Sequence, residues 1–194
     1  MLLRQHAEGD TEAFGLLFKR HKDRLWAVAL RVTSDPDDAA DALQEAMISA
    51  FRRAGDFRGE SAVTTWLHRI VVNASLDLLR RRSARSVGWS GDPDDLPVPE
   101  PRPGVDSAAS TDSRLDVDAA MRTLPPPQRA ALVLVDMLGY PVADVAVILG
   151  VSEGTVKSRC ARGRARLLPF LAHLRGGSGN QAAADTVSPE GGGG

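Results

Sequence analysis

Three observations predict an all-α chain in which two small helical domains are joined by a flexible linker. Aromatic residues make up only 5% of the 194 residues while the hydrophobic fraction is 43%, a balance that suits small helical modules better than a sheet-rich core. Apolar residues recur at helical spacing in two blocks, one on each side of residues 84–112. That middle segment holds Pro93, Pro97, Pro99, Pro101 and Pro103 with Gly88, Gly91 and Gly104. It loses backbone donors and gains chain entropy, so neither a helix nor a ladder is expected to persist there.

The first block, residues 1–83, reads as three helices. Phe14, Leu17, Phe18, Leu25, Val28, Ala29 and Val32 form one apolar face, with Asp10 or Thr11 as N-cap. The next helix opens on Asp35 as cap, Pro36 at the first helical position, and Asp37 and Asp38 at the positive end of the dipole. Its predicted apolar face is Ala39, Leu43, Ala46, Met47, Ala50 and Phe51. A loop from Gly55 to Gly59 leads to a third helix with a stripe of Trp66, Leu67, Ile70, Val71, Ala74 and Leu78.

The second block, residues 113–175, begins with a helix from about Arg114 (Leu115, Val117, Ala120, Met121, Leu124), stopped by Pro125, Pro126 and Pro127. A helix from Gln128 to Leu138 follows, then short ones from Val142 to Leu149 and from Glu153 to about Leu168. From Gly176 the chain is glycine-rich and predicted to be disordered.

Charge is unevenly spread. Residues 1–83 balance at +1, the linker at −4, residues 113–175 at +4 and the tail at −2, for the net −1 of the chain. Positive charge therefore sits where a nucleic acid could use it.

The sharpest local signal is residues 142–168. Ala146, Gly150 and Val156 stand at the spacing of a helix-turn-helix: a small residue where helices cross, a glycine for a positive-φ turn, and a core anchor. Ser152 is placed to cap the second helix, with Cys160 and Leu167 continuing its buried face. Thr155, Lys157, Ser158, Arg159, Arg162 and Arg166 are left for the surface, a composition suited to phosphates and base edges in the major groove. A solvated, arginine-rich helix that binds nothing is the bland alternative; the coincidence of charge with turn chemistry argues against it.

Two other surfaces are weaker signals. The third helix offers Arg69, Asn73, Asp77, Arg80, Arg81 and Arg82, but basic last turns are favoured by the helix dipole alone. The helix from Asp35 offers Asp41, Gln44, Glu45 and Ser49, which by themselves describe a solvated face. Cys160 is the single cysteine, and His6, His21, His68 and His173 do not approach one another at a ligand spacing. No metal site, disulfide or cofactor is expected. Paired carboxylates, nucleophile–base arrangements and phosphate loops are lacking too, so no catalytic residues and no small-molecule substrate are expected. No apolar run spans a bilayer and the N-terminus does not read as a secretory signal, so a cytoplasmic protein without membrane insertion is expected.

The segments DALQEAMISAF, FRGESAVTTWLHRIVVNASLDLLRRR and LPPPQRAALVLVDMLGYPVADVAVILGVSEGTVKSRCARGRAR resemble, in that order, those of extracytoplasmic-function (ECF, group IV) RNA polymerase sigma factors. The resemblance covers most of residues 1–172 outside the linker. TWLHRIVVNASLD and VDMLGY…VSEGTVKSRCAR look most similar to the actinobacterial SigM-type subgroup.

The resemblance implies a sigma-2 domain in residues 1–83 and a sigma-4 domain in 113–175. It implies a non-catalytic initiation subunit that binds core RNA polymerase (β′ clamp helices and β flap) and promoter DNA in a stress or envelope response, with an anti-sigma factor as partner. Asp41, Gln44 and Glu45 correspond to the surface that docks on the β′ clamp helices. Phe57, Arg69, Asn73, Arg80 and Arg81 correspond to the reader of the −10 element, where a base is flipped into a pocket at a cost of a few kcal/mol. Asn73 matches a pocket position, while Trp66 reads as core. Lys157, Ser158 and Arg162 match positions contacting the −35 element. At Ala161 many relatives of that family carry a larger or polar residue, so a −35 preference different from theirs is expected.

Geometry allows a bipartite reader. The 29 residues from Ala84 to Asp112 stretch to about 95 Å, and two duplex sites two turns apart are roughly 70 Å apart. The competing expectation is a stand-alone dimeric helix-turn-helix regulator, which leaves the first helical block without a role.

Overall fold

The computed structural model describes residues 2–100 and 112–176, and every regular element among them is helical. The first half consists of α1 (Leu2–Ala7), α2 (Thr11–Thr33), α3 (Pro36–Arg52) and α4 (Val63–Val87). Both predicted caps form. Asp10 accepts from the Glu12 and Ala13 amides, and Asp35 accepts from the Asp38 amide at 2.9 Å. Each satisfies amide donors that the first helical turn leaves unpaired. Along α3, Ala39, Ala42, Ala46 and Ala50 are fully buried; their small side chains let α3 lie close against α2 and α4.

Several faces differ from the periodicity reading. Phe51 and Phe18 lie largely at the surface, with Phe51 edge-on to Phe14 at 5.1 Å and tilted against His6. In α4 the inward face runs through Leu67, Ile70, Val71, Val72, Leu76 and Leu79, and Leu78 is only half-buried. Helix α4 is covered on more than one side, so no single stripe marks its interior.

The second half contains α5 (Asp112–Arg122), α6 (Pro126–Leu132), α7 (Val142–Leu149) and α8 (Glu153–Gly176). Prolines 125–127 do more than stop α5. Pro126 occupies the first position of α6, where its missing amide has no partner to lose. Helix α6 runs into a π turn, Val133–Met137, that ends at Gly139 with φ +72°. Gly150, also left-handed at φ +65°, closes α7 and turns the chain into α8.

The halves share a seam. Helix α7 packs on α4, and α6 packs on α2 and α4, so buried residues of both halves form one continuous cluster. Leu134, Val145 and Ile148 are the second-half members that are almost fully buried in it, and joining the halves removes more apolar surface from water than a small helical unit does alone.

The predicted flexible linker, 84–112, differs at both ends. Residues 84–87 are the last turn of α4 and Asp112 opens α5. Between them a 3₁₀ turn forms at Pro93–Asp95, and Leu96 is buried. Proline forbids a long helix but not a docked turn, and Asp92 starts this one by accepting from the Asp94 amide at 2.8 Å. The remainder of the linker, 101–111, and the glycine-rich tail, 177–194, lie outside the described residues.

Candidate nucleic-acid interface

Helix α8 starts on Ser152, whose hydroxyl accepts from the Thr155 amide at 3.1 Å and lies 2.9 Å from the Thr155 hydroxyl. Val156 is fully buried and Cys160 nearly so, which fixes the rotation of the helix. Burial raises the Cys160 thiol pKa above its ordinary value, against the opposing charge of Arg164 and with a smaller push from Asp136. This sulfur is a packing atom.

With that face fixed, Lys157, Ser158, Arg162 and Arg166 are exposed and Thr155 is half-buried. Lys157 reaches back to Glu153 at 3.5 Å, and the Ser158 hydroxyl donates to the Thr155 carbonyl at 2.9 Å. Arg159 departs from expectation: it is only 5% exposed. Its Nε donates to Asp94 at 3.0 Å, its Nη2 pairs with the same carboxylate, and Arg162 donates to Asp94 at 3.2 Å. Burial alone raises the Asp94 pKa, but hydrogen bonds and charge from Arg159 and Arg162 together hold it below the ordinary carboxylate value. Nothing in the periodicity of α8 forecasts this partner. The signal that could have found it is the Asp92-Pro93 dipeptide, a turn former that the composition of the linker hides.

In the first half, a cleft of about 220 Å³ is lined by residues of α3 and α4, among them Glu45, Ser49, Trp66, Arg69 and Asn73. Trp66 is half-buried, packing on the core with one side, lining the cleft with another, and meeting Phe57 edge-on at 5.6 Å. Asn73 lines the cleft and donates to the Ile148 carbonyl of α7 at 3.1 Å. Arg80 pairs with Asp77 at 2.6 Å, and Arg81 makes a two-pronged pair with Glu45 at 2.6 and 3.3 Å. Asp41 and Gln44 are exposed on α3. The two groups read as separate surfaces therefore meet, because Glu45 borders the cleft that holds Arg69 and Asn73.

The seam beside this cleft carries polar groups that sequence reasoning missed. The His68 ring Nδ1 lies 2.8 Å from the Tyr140 hydroxyl. Burial first, then the nearby charges of Arg24 and His21, lower the His68 pKa to about 4. Arg129 of α6 is fully buried; it donates to the Ser34 hydroxyl and, at 3.1 Å, to the Leu124 carbonyl. Burial and the neighbouring Arg122 push its pKa down to about 10. Ser34 closes α2, so the guanidinium stands at the negative end of that helix.

Comparison with known proteins converges on one family. The model for Sigma-70 region 2 matches residues 17–85, and that for Sigma-70, region 4 matches residues 114–167. An ECF RNA polymerase sigma factor, SigM of Mycobacterium tuberculosis, is 49% identical over 176 residues, covering 91% of this chain and 86% of the relative. RNA polymerase sigma-H factor of Pseudomonas aeruginosa is 32% identical, covering 84% of this chain and 88% of that one. Among solved structures, sigma factor RpoE in complex with the anti-sigma factor NepR, from Bartonella quintana, superposes with a TM-score of 0.63 at 27% identity, covering 84% of this chain and 98% of that chain. CnrH in complex with the cytosolic domain of CnrY gives 0.60 at 27% identity, covering 89% and 96%.

Proposed function

The chain belongs to the ECF RNA polymerase sigma factors, and from that premise we propose how its surfaces divide the work of promoter-specific initiation. Residues 1–83 act as the sigma-2 unit and 113–175 as the sigma-4 unit. The factor adds no catalytic group of its own and works in the cytoplasm, beside the polymerase it serves. Asp41, Gln44 and Glu45 meet the β′ clamp helices, and the sigma-4 unit meets the β flap. An anti-sigma factor is the regulatory partner, as NepR is for RpoE in the solved complex.

One observation carries the DNA reading. The Gly150 turn and the buried Val156 hold α8 so that Lys157, Ser158, Arg162 and Arg166 face outward together. In that geometry the helix enters the major groove of the −35 element, where guanidinium forks reach guanine edges or phosphates. The α3/α4 cleft takes a base flipped from the melted −10 strand. Phe57 and Trp66 offer ring surface to it, Asn73 offers an amide to its hydrogen-bonding edge, and Arg69, Arg80 and Arg81 lie along the flanking backbone. Asn73 must first release the Ile148 carbonyl, so −10 reading requires the seam between the halves to open.

Run-off transcription with core polymerase on randomised promoters tests this division. Arg162→Ala is expected to weaken selection at −35, with discrimination falling by about 1–3 kcal/mol per lost bidentate contact. Asn73→Ala is expected to spare promoter binding and impair opening. Normal open complexes from Asn73→Ala refute its assigned role.

A further inference from the structure

The acidic turn that precedes the second half lies on the very helix assigned to the −35 element. Asp94 uses both carboxylate oxygens: one takes two donors from Arg159, the other takes one from Arg162. A carboxylate and a DNA phosphate compete for the same guanidinium forks, and the buried side chain of Arg159 cannot serve both. The turn is built rather than casual. Asp92 orders it through the Asp94 amide, and Leu96, 1% exposed, pins its far end in the core.

We propose that the segment Asp92–Leu96 is an internal occupant of the −35-reading surface, holding Arg159 and Arg162 from DNA until it is displaced. The inference rests on the −35 reading of α8 given above. For DNA to engage both arginines, three charge-assisted hydrogen bonds must be exchanged and Leu96 must leave its site. The free chain therefore binds −35 duplex more weakly than its arginine content allows. A neighbour supplies the control: Asp95 carries the same charge, is exposed, and makes none of these contacts.

The test is fluorescence anisotropy of the full chain with a duplex carrying the −35 element recovered from randomised-promoter transcription. Asp94→Asn is expected to tighten binding roughly fivefold, the size of a lost ion pair. Asp95→Asn, which changes the net charge equally, should change affinity less than about twofold. Leu96→Ala keeps every charge, loosens the far end of the turn, and should also tighten binding. Equal affinities for Asp94→Asn and Asp95→Asn overturn the proposal, as does unchanged or weaker binding by Leu96→Ala. Arg162→Ala, made in the Asp94→Asn background, separates the two readings. If it weakens binding while Asp94→Asn matches Asp95→Asn, the −35 assignment stands and the internal occupant alone is wrong. If it leaves affinity unchanged, α8 is not the reader and the inference falls with it.

Discussion

Helices α4 and α8 are of similar length, 25 and 24 residues, and both carry several arginines, yet they hold their charge differently. In α4, Arg80, Arg81 and Arg82 pair with Asp77, Glu45 and Asp38, all in the same half. In α8, Arg164 pairs with Asp136 of its own half, but Arg159 and Arg162 pair with Asp94 from the linker. The address of the counter-charge separates the cations. Those paired within a packed unit belong to its fold, whereas those paired to a separable segment can be handed to another anion.

The strongest way to break that distinction is Arg82→Ala. It takes the Arg82 guanidinium from the Asp38 carboxylate, only 3% exposed, and losing a hydrogen bond to a buried charged group costs about 3 kcal/mol. Urea unfolding should show that loss. Arg162→Ala, which breaks a half-exposed pair with Asp94 of the linker, should stay below about 1 kcal/mol. Equal losses from the two substitutions abolish the contrast.

The next effect comes from the seam, where α4 meets the second half through neutral groups. His68 has a folded pKa of about 4 against an ordinary 6.5, so the fold favours the uncharged ring. Its contribution is complete above pH 6.5 and is lost as pH falls toward 4. Unfolding free energy should drop over that window by up to about 3 kcal/mol, and His68→Gln should flatten the profile. A smaller loss is expected from Gly163→Ala in α8. A Cβ there stands 2.8 Å from Leu132 Cδ1 and 3.3 Å from Leu132 Cγ, with Leu132 packed in the core. Overpacking of this kind costs about 1–2 kcal/mol, read as a lower urea midpoint.

Local rules made much of this molecule legible. Asp10 and Asp35 cap because their side chains reach amides two or three residues on. Gly150 and Val156 turn and anchor because helical spacing fixes where they lie. The unforeseen features depend on partners far along the chain. Asp94 and Arg159 are 65 positions apart, and Arg129 and Ser34 are 95 apart. No periodicity encodes such a meeting, and composition argues against burying an arginine at all. The same gap explains the linker: its proline content speaks against a persistent helix, but it could not reveal that a turn forms at Pro93–Asp95 and that Leu96 finds a buried site. The cleft was half legible. Asn73 was placed by resemblance, while Glu45 and Ser49 became its wall only once α3 was laid against α4.

The smallest stability change should come from Glu45→Gln, and it is the most discriminating test of how α4 is used. Glu45 and Arg81 are each about half exposed in their pair, so losing the charge should alter stability by less than about 0.5 kcal/mol. Arg81 donates to both Glu45 carboxylate oxygens, at 2.6 and 3.3 Å, which is the leading cause that raises the Arg81 pKa, so Glu45 is already occupied. If Glu45 only orients Arg81 beside the cleft, Glu45→Gln will disturb promoter opening and leave the affinity for core polymerase unchanged. If it also faces the β′ clamp helices, affinity for core should fall roughly fivefold, a loss of about 1 kcal/mol. Titrating core polymerase with the wild type, Glu45→Gln and Arg81→Met separates these outcomes, because Arg81→Met abolishes the pair while sparing the carboxylate. Weakened core binding by Glu45→Gln alone assigns the carboxylate to the polymerase, and weakening by both makes the pair itself the docking element.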